Sequence, residues 1–265
     1  MNPHEKTDSS RSEELENLLL QAEELLCLGE PESCLELCLE GLQIDPSDVD
    51  LLFLQAISMQ IIGSWEEALI ILYSIVAEDP NNIQAWSHIA ILQLELMNIK
   101  GAQAVIQTIQ DKDPAFEDGW WLKGLLRERL GDIEGADRAY SMASWLNPNE
   151  YPILPKLEND DLNTLINEVL NMAEPFLKML YLQSIIQIKE MPSADHIAAS
   201  ELPPLQILCS PIPKNSFAPS TQQPTIVFFK RNIRRALVEK EQLLQRLLND
   251  LEHLLLIQPS RGIEA

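Results

Sequence analysis

The sequence predicts an array of antiparallel helix pairs followed by a small α+β domain, and three observations carry that expectation. Small, bulky, glycine and proline positions recur every 34 residues as far as Pro148. Pro148, Pro152 and Pro155 then close the period, and its series do not continue beyond them. Further on, "SIIQIKEMP" and "TIVFFKRNI" are β-branched and aromatic enough to be strands, set between stretches of helical pattern.

The period is carried by several series in one register. Pro46, Pro80, Pro114 and Pro148 stand in "IDPSD", "EDPNN", "KDPAF" and "LNPNE". Small residues recur at Cys34, Ala68, Ala102 and Ala136, and again at Ala22, Ala56, Ala90 and Gly124. Cys38, Leu72, Ile106 and Tyr140 form a bulky series, while Gly29, Gly63 and Gly131 recur with Met97 at the missing place. Small residues belong where two helices approach closely, since a larger side chain would part their backbones. Glycine caps the first helix of each pair in the left-handed conformation, and proline stops the second from running on. The apolar pattern of "VDLLFLQAISMQIIG" and "SWEEALIILYSIVAEDP" supports two helices per unit.

This unit resembles the tetratricopeptide repeat family, a 34-residue helix–turn–helix with small residues, an aromatic and a proline at these offsets. "WWLKGLLRERLGDIEGADRAYSMASWLNP" is the closest copy and "LLLQAEELLCLGEPESCLELCLEGLQIDP" the most divergent. The likeness covers about residues 15–148. It implies an α superhelix of about four repeats, near 15–48, 49–82, 83–116 and 117–150, after a flexible segment 1–14. It also implies a concave groove lined by the second, fifth, ninth and twelfth positions of each unit. These are Asp50, Phe53, Ile57 and Gln60, then Gln84, Ser87, Ile91 and Leu94, then Asp118, Trp121, Leu125 and Glu128. The first repeat contributes Glu16, Leu19, Glu23 and Leu26. A wall that is apolar in its middle and carboxylate-flanked suits a peptide or helix with apolar anchors and basic flanks. Chaperone-binding relatives use a lysine and asparagine clamp where Leu19 and Glu23 stand here, so a carboxylate-terminated ligand is disfavoured. Alternatively, some of these apolar residues pack on the chain's own C-terminal half.

Charge narrows the partners further. Residues 1–150 hold 28 acidic and 8 basic side chains, whereas residues 151–265 hold 13 and 11. So acidic a front half repels nucleic acid and anionic membranes and steers basic partners, or simply keeps the protein soluble. No apolar run is long enough to span a bilayer, and "MNPHEKTDSSRSEE" lacks a signal-peptide core, which together predict a cytoplasmic protein. Cys34 and Cys38 fall on packing positions, and Cys27 and Cys209 complete no ligand set, so neither metal nor disulfide is expected.

After a linker at 151–161, residues 162–258 read helix, strand, a short strand in "QILCSPIP", strand and helix, with a tail at 259–265. Leu162 to Leu180 is helical with an interruption at Pro175, "PKNSFAPSTQQP" is a loop, and Val238 to Ile257 is a long leucine-rich helix. This order resembles a bacterial family of minimal zincin-like metallopeptidase domains. There a strand ends in an acidic residue and proline, as "IKEMP" does here. An "I-x-L-[FY]-x-x-N" strand follows, like "TIVFFKRNI", and then a helix bearing HExxH. In a working motif two histidines one turn apart bind zinc and the glutamate activates its water. "LLNDLEHLLL" keeps only the glutamate, Glu252, with Leu251 and Leu255 at both ligand places and Gln258 and Arg261 where the extended motif continues. His253 has no second histidine one turn away, because Asn249 and Ile257 stand there, and nothing in its context makes His196 a ligand. The "KRNIRR" cluster, Lys230 to Arg235, either docks on acidic repeats or solvates a helix start.

The expectation is therefore a tetratricopeptide superhelix joined to a zincin-like α+β domain that is a pseudo-metallopeptidase, acting as an adaptor or scaffold without a cofactor. A zinc peptidase that recruits substrates by its repeats, and a structural subunit of a larger assembly, are the competing readings. The sequence leaves the oligomeric state open.

Overall fold

A computed structural model describes residues 3–198, 200, 206–211 and 224–257. The chain divides into two compact units, Met1–Asn147 and Pro148–Ala265.

The first unit is a run of helix pairs: α1 (Pro3–Cys27) with α2 (Pro31–Ile44), α3 (Val49–Ile62) with α4 (Trp65–Glu78), α5 (Ile83–Glu95) with α6 (Ile99–Lys112), and α7 (Glu117–Arg129) with α8 (Ile133–Leu146). Helix α1 begins at Pro3, so most of the segment expected to be flexible up to residue 14 is helical. Between pairs, one device recurs with the period. Asp45, Asp79 and Asp113 each accept, at 2.9 Å, the backbone N–H two residues on, that of Ser47, Asn81 and Ala115. These Asx turns fix the chain around each proline, where helical hydrogen bonding has stopped. Asp48, Asn82, Asn98 and Asp132 then cap α3, α5, α6 and α8 by accepting the N–H of the residue three further on.

The small-residue series lie in the contacts between helices. Ala22, Ala56 and Ala90, and likewise Cys34, Ala68, Ala102 and Ala136, are fully buried. At Gly124 even a methyl group would collide with the ring of Tyr140. Cys34 and Cys38 are packing residues whose sulfurs lie 3.9 Å apart. Burial and the neighbouring Cys34 push the Cys38 thiol up to about 12, leaving it protonated and unreactive.

The left-handed positions include the exception. Gly29, Gly63 and Gly131 have φ of +77°, +98° and +78°, and Met97 adopts +56° in the same place. A side chain in that conformation costs on the order of 1 kcal/mol. We expect Met97→Gly to stabilise the repeats by roughly 0.5–1 kcal/mol in urea unfolding followed by fluorescence. A destabilised variant would mean that the Met97 side chain contributes more than its backbone costs.

The second unit contains α9 (Asn159–Met172), α10 (Pro175–Leu182), β1 (Ile185–Lys189), α11 (Ala194–Ala198), β2 (Cys209–Pro211), β3 (Thr225–Phe229), α12 (Lys230–Ala236) and α13 (Lys240–Glu252). The sheet order is β1-β3-β2, with β1 parallel and β2 antiparallel to β3. Alternation along β3 gives the unit two apolar faces. Ile226 and Phe228 pack with residues of α9, α10 and α13, including Leu162, Leu165, Leu177, Leu247 and Leu251. Val227 and Phe229 pack with Ile207 and Ile197 on the other side.

Two expectations need correction. The strand expected over "TIVFFKRNI" is β3, which ends at Phe229, and Lys230 to Ile233 belong to α12. The expected single helix from Val238 to Ile257 is three pieces: a 3-10 turn Leu237–Glu239, α13, and a π turn His253–Ile257. The expected loop "PKNSFAPSTQQP", apart from its last residue, and the tail at 259–265 lie outside the described residues.

Candidate functional site

Residues at the second, fifth, ninth and twelfth positions of a helical repeat stand on one face of its first helix. Neighbouring first helices touch, α3 with α5 and α5 with α7, so their faces adjoin. On α3, Asp50 is exposed, and Phe53, Ile57 and Gln60 are half-buried. On α5, Gln84 is exposed and Ile91 half-buried, while Ser87 and Leu94 are buried, with Ser87 Oγ donating to the Ile83 carbonyl at 3.1 Å. On α7, Asp118 and Trp121 are half-buried, and Leu125 and Glu128 are only 4% and 3% exposed. On α1, Glu16 and Glu23 are exposed beside half-buried Leu19 and Leu26.

Ser87, Leu94, Leu125 and Glu128 therefore cannot meet a ligand without repacking. The accessible wall is Phe53, Ile57, Ile91 and Trp121, edged by Asp50, Gln84 and Asp118. Trp121 is held from behind by Tyr140 of α8, with ring centroids 4.7 Å apart. A fixed aromatic loses little entropy on binding, which favours it as an anchor.

Sequence reasoning missed His88. Its ring meets Phe53 edge-on, centroids 5.3 Å apart, and its Nδ1 lies 3.0 Å from Oε1 of Gln60. It thus braces Phe53 and the groove position Gln60 of α3 from α5. Burial lowers its pKa to about 4, so it is neutral near pH 7 and Nδ1–H donates to Gln60. It lies one place beyond the groove position Ser87, and an aromatic opposite it one repeat earlier was the available signal.

The motif helix has a different character. Leu251 and Leu255 are 1% and 8% exposed and belong to the core formed with Ile226, Phe228 and Leu177. Glu252 is half-buried and His253 exposed. His196 stacks edge-on against Phe229 at 5.1 Å, and its Nδ1 lies 2.5 Å from Ser193 Oγ. Since Phe229 leaves β3 on the opposite face from Phe228, the sheet separates His196 from Leu251 and Leu255. Among the described residues, no three His, Cys, Asp or Glu side chains converge as a metal site requires. Nearby, burial raises the pKa values of Cys209, Asp250 and Tyr181, the last to about 12, so all three are pushed towards their neutral forms.

The basic cluster serves the unit's own fold. Lys230 and Arg231 pair with Glu190 at 3.4 and 3.6 Å, tying the start of α12 to the end of β1. Arg234 Nε donates to the Pro155 carbonyl at 2.7 Å. Asn232, buried, donates from Nδ2 to the Ile207 carbonyl at 2.6 Å. Among the described residues, no helix is long and apolar enough to cross a membrane.

Residues 63–126 match the family model of the tetratricopeptide repeat. Solved structures with related folds include a thermophilic TPR protein of Thermus thermophilus, 20% identical, covering 50% of this chain and 74% of that one with a TM-score of 0.47. PilF of Pseudomonas aeruginosa is 18% identical over 66% of this chain and 83% of its own, at 0.49. MamA of Desulfovibrio magneticus RS-1 is 21% identical over 51% and 76%, at 0.45. None of these reaches a TM-score of 0.5, so the repeat assignment rests on the family match and on the chain's own period. No curated protein matches the sequence.

Proposed function

We propose that this tetratricopeptide repeat protein is an interaction adaptor whose first-helix wall binds a peptide or helix of a partner protein. Tetratricopeptide repeats generally serve protein–protein interaction rather than catalysis. The observation that carries the reading is the adjoining face of α3, α5 and α7, with Phe53, Ile57, Ile91 and Trp121 accessible between Asp50 and Asp118. Apolar anchors of the partner would fill the middle, and basic residues on either side would meet the carboxylates. The net charge of −22 adds steering towards such a partner and away from nucleic acid and anionic lipid.

In the same reading the second unit is a zincin-like domain without catalysis. Its support is the burial of Leu251 and Leu255 in the core and the separation of His196 from them by β3.

The test compares affinity-purified partners of the wild type and of Phe53→Ala/Trp121→Ala. The double variant is expected to bind them at least about tenfold more weakly, and wild-type binding should weaken as salt rises. Partners retained equally by both proteins would refute the groove. Metal analysis of chelator-free protein addresses the second unit separately: stoichiometric zinc would reinstate the peptidase reading.

A further inference from the structure

The sheet order β1-β3-β2 leaves β1 and β2 each with one side unpaired. An unpaired edge is a template for another strand, and proteins blunt it with short strands, proline or charge. The β2 edge is blunted, being three residues long and ending in Pro211. The β1 edge is not. Ile185–Lys189 is isoleucine and glutamine up to its last place, where its one charge, Lys189, stands.

Register fixes which groups of β1 are free. Ile185 N–H donates to the Pro224 carbonyl at 2.8 Å, and β1 runs parallel to β3 with Ile185 opposite Thr225. Alternate residues of a strand bond the same neighbour, so Ile185, Gln187 and Lys189 turn their backbone groups to β3. Those of Ile186 and Ile188 point the other way, and among the described residues nothing bonds to them.

That edge is complementary to itself. A two-fold axis through Gln187 lays a second β1 antiparallel, with Ile186 opposite Ile188 of the other copy and each pair exchanging both backbone bonds. All the outward N–H and C=O groups of both strands are then used. Isoleucine meets isoleucine, the two Gln187 amides lie side by side, and the two Lys189 side chains stand at opposite ends. Residues 151–265 hold 13 acidic and 11 basic side chains, against 28 and 8 in residues 1–150, so two copies repel each other least through this half. A strand from a basic partner gains nothing from an edge whose one charge is a lysine. A strand pair alone is smaller than a stable interface, which buries about 1,600 Å² in total. Helix α10, two residues before β1 in the chain, offers more apolar surface: Phe176, Met179 and Leu182 step by three along one side and are exposed.

We propose that β1 pairs antiparallel with β1 of a second copy, joining the two sheets into one continuous sheet about a two-fold axis at Gln187. The pairing uses no residue of the repeat wall, so the adaptor reading neither requires it nor falls with it.

Sedimentation velocity of the full chain from about 1 to 100 μM is expected to approach twice the chain mass, with a Kd of about 10 μM or below. Like charges directly opposite destabilise a cross-strand pair, so Gln187→Lys and Gln187→Glu should each weaken the dimer at least about tenfold. An equimolar mixture of the two variants should restore it, which misfolded proteins cannot do. In the wild type, amide exchange at Ile186 and Ile188 should slow as concentration rises. A monomeric wild type, the result expected if this edge serves a different protein, overturns the proposal. So does a dimer that both Gln187 variants leave intact.

Discussion

Replacing Leu251 and Leu255 together by histidine, which rebuilds the two missing ligand places, is expected to destabilise the second unit without creating a zinc site. Both leucines are in the core with Phe228, Ile226 and Leu177. Each substitution removes buried methyl groups and places polar ring nitrogens among apolar neighbours. Together these losses are worth roughly 3–6 kcal/mol for the pair. The ligand geometry is also wrong. Helix α13 ends at Glu252 and a π turn covers His253–Ile257, so positions 251 and 255 do not share a regular α-helical turn. All five tryptophans lie in the first unit, so the loss is read by amide hydrogen exchange in β3 rather than by fluorescence. Stoichiometric zinc bound by a variant of undiminished stability would show that these places open onto a coordination site.

The two halves differ in how much of them could be read from sequence, and the reason is physical. In the repeats one local solution recurs: an Asx turn at each Asp-Pro, a small residue where helices touch, a left-handed cap. Each constraint is met within a few residues, so the period alone exposes it, down to the irregular Met97. The accessible wall was readable only as far as helix spacing reaches. Phe53, Ile57, Ile91 and Trp121 follow from it, but the burial of Ser87, Leu94, Leu125 and Glu128 depends on packing that no single helix records. In the second unit the decisive contacts are long-range. The strand expected over "TIVFFKRNI" stops at Phe229. Lys230 and Arg231 are drawn to Glu190, and Asn232 to the Ile207 carbonyl. Residues distant in sequence supply those partners, and the local pattern carries no trace of them.

His88 makes the stability of the repeats depend on pH, and the sign follows from its burial. In the unfolded chain a histidine titrates near 6.5, whereas in the fold burial lowers His88 to about 4. Above pH 6.5 it is neutral in both states and adds no pH dependence. As pH falls from 6.5 to 4 the unfolded chain takes up a proton that the folded chain refuses, so the fold loses stability. Below pH 4 both forms are protonated and the loss is complete, at most about 3 kcal/mol for a group that remains partly solvated. The carboxylates of the repeats titrate in the same window, so the informative quantity is the difference between the wild type and His88→Gln. Glutamine keeps a donor for Gln60 Oε1 and carries no titrating proton. Urea unfolding followed by tryptophan fluorescence, which reports the first unit alone, is expected to show the wild type losing more stability than the variant between pH 6.5 and pH 4. Parallel curves would mean that His88 is solvated when charged. Because Phe53 leans on this ring and Gln60 is bonded to it, the groove face these residues share is expected to loosen as His88 takes up its proton. Wild-type partner binding should then fall on acidification more than that of His88→Gln. A pocket wall braced by a neutral histidine holds its shape only while the histidine stays uncharged.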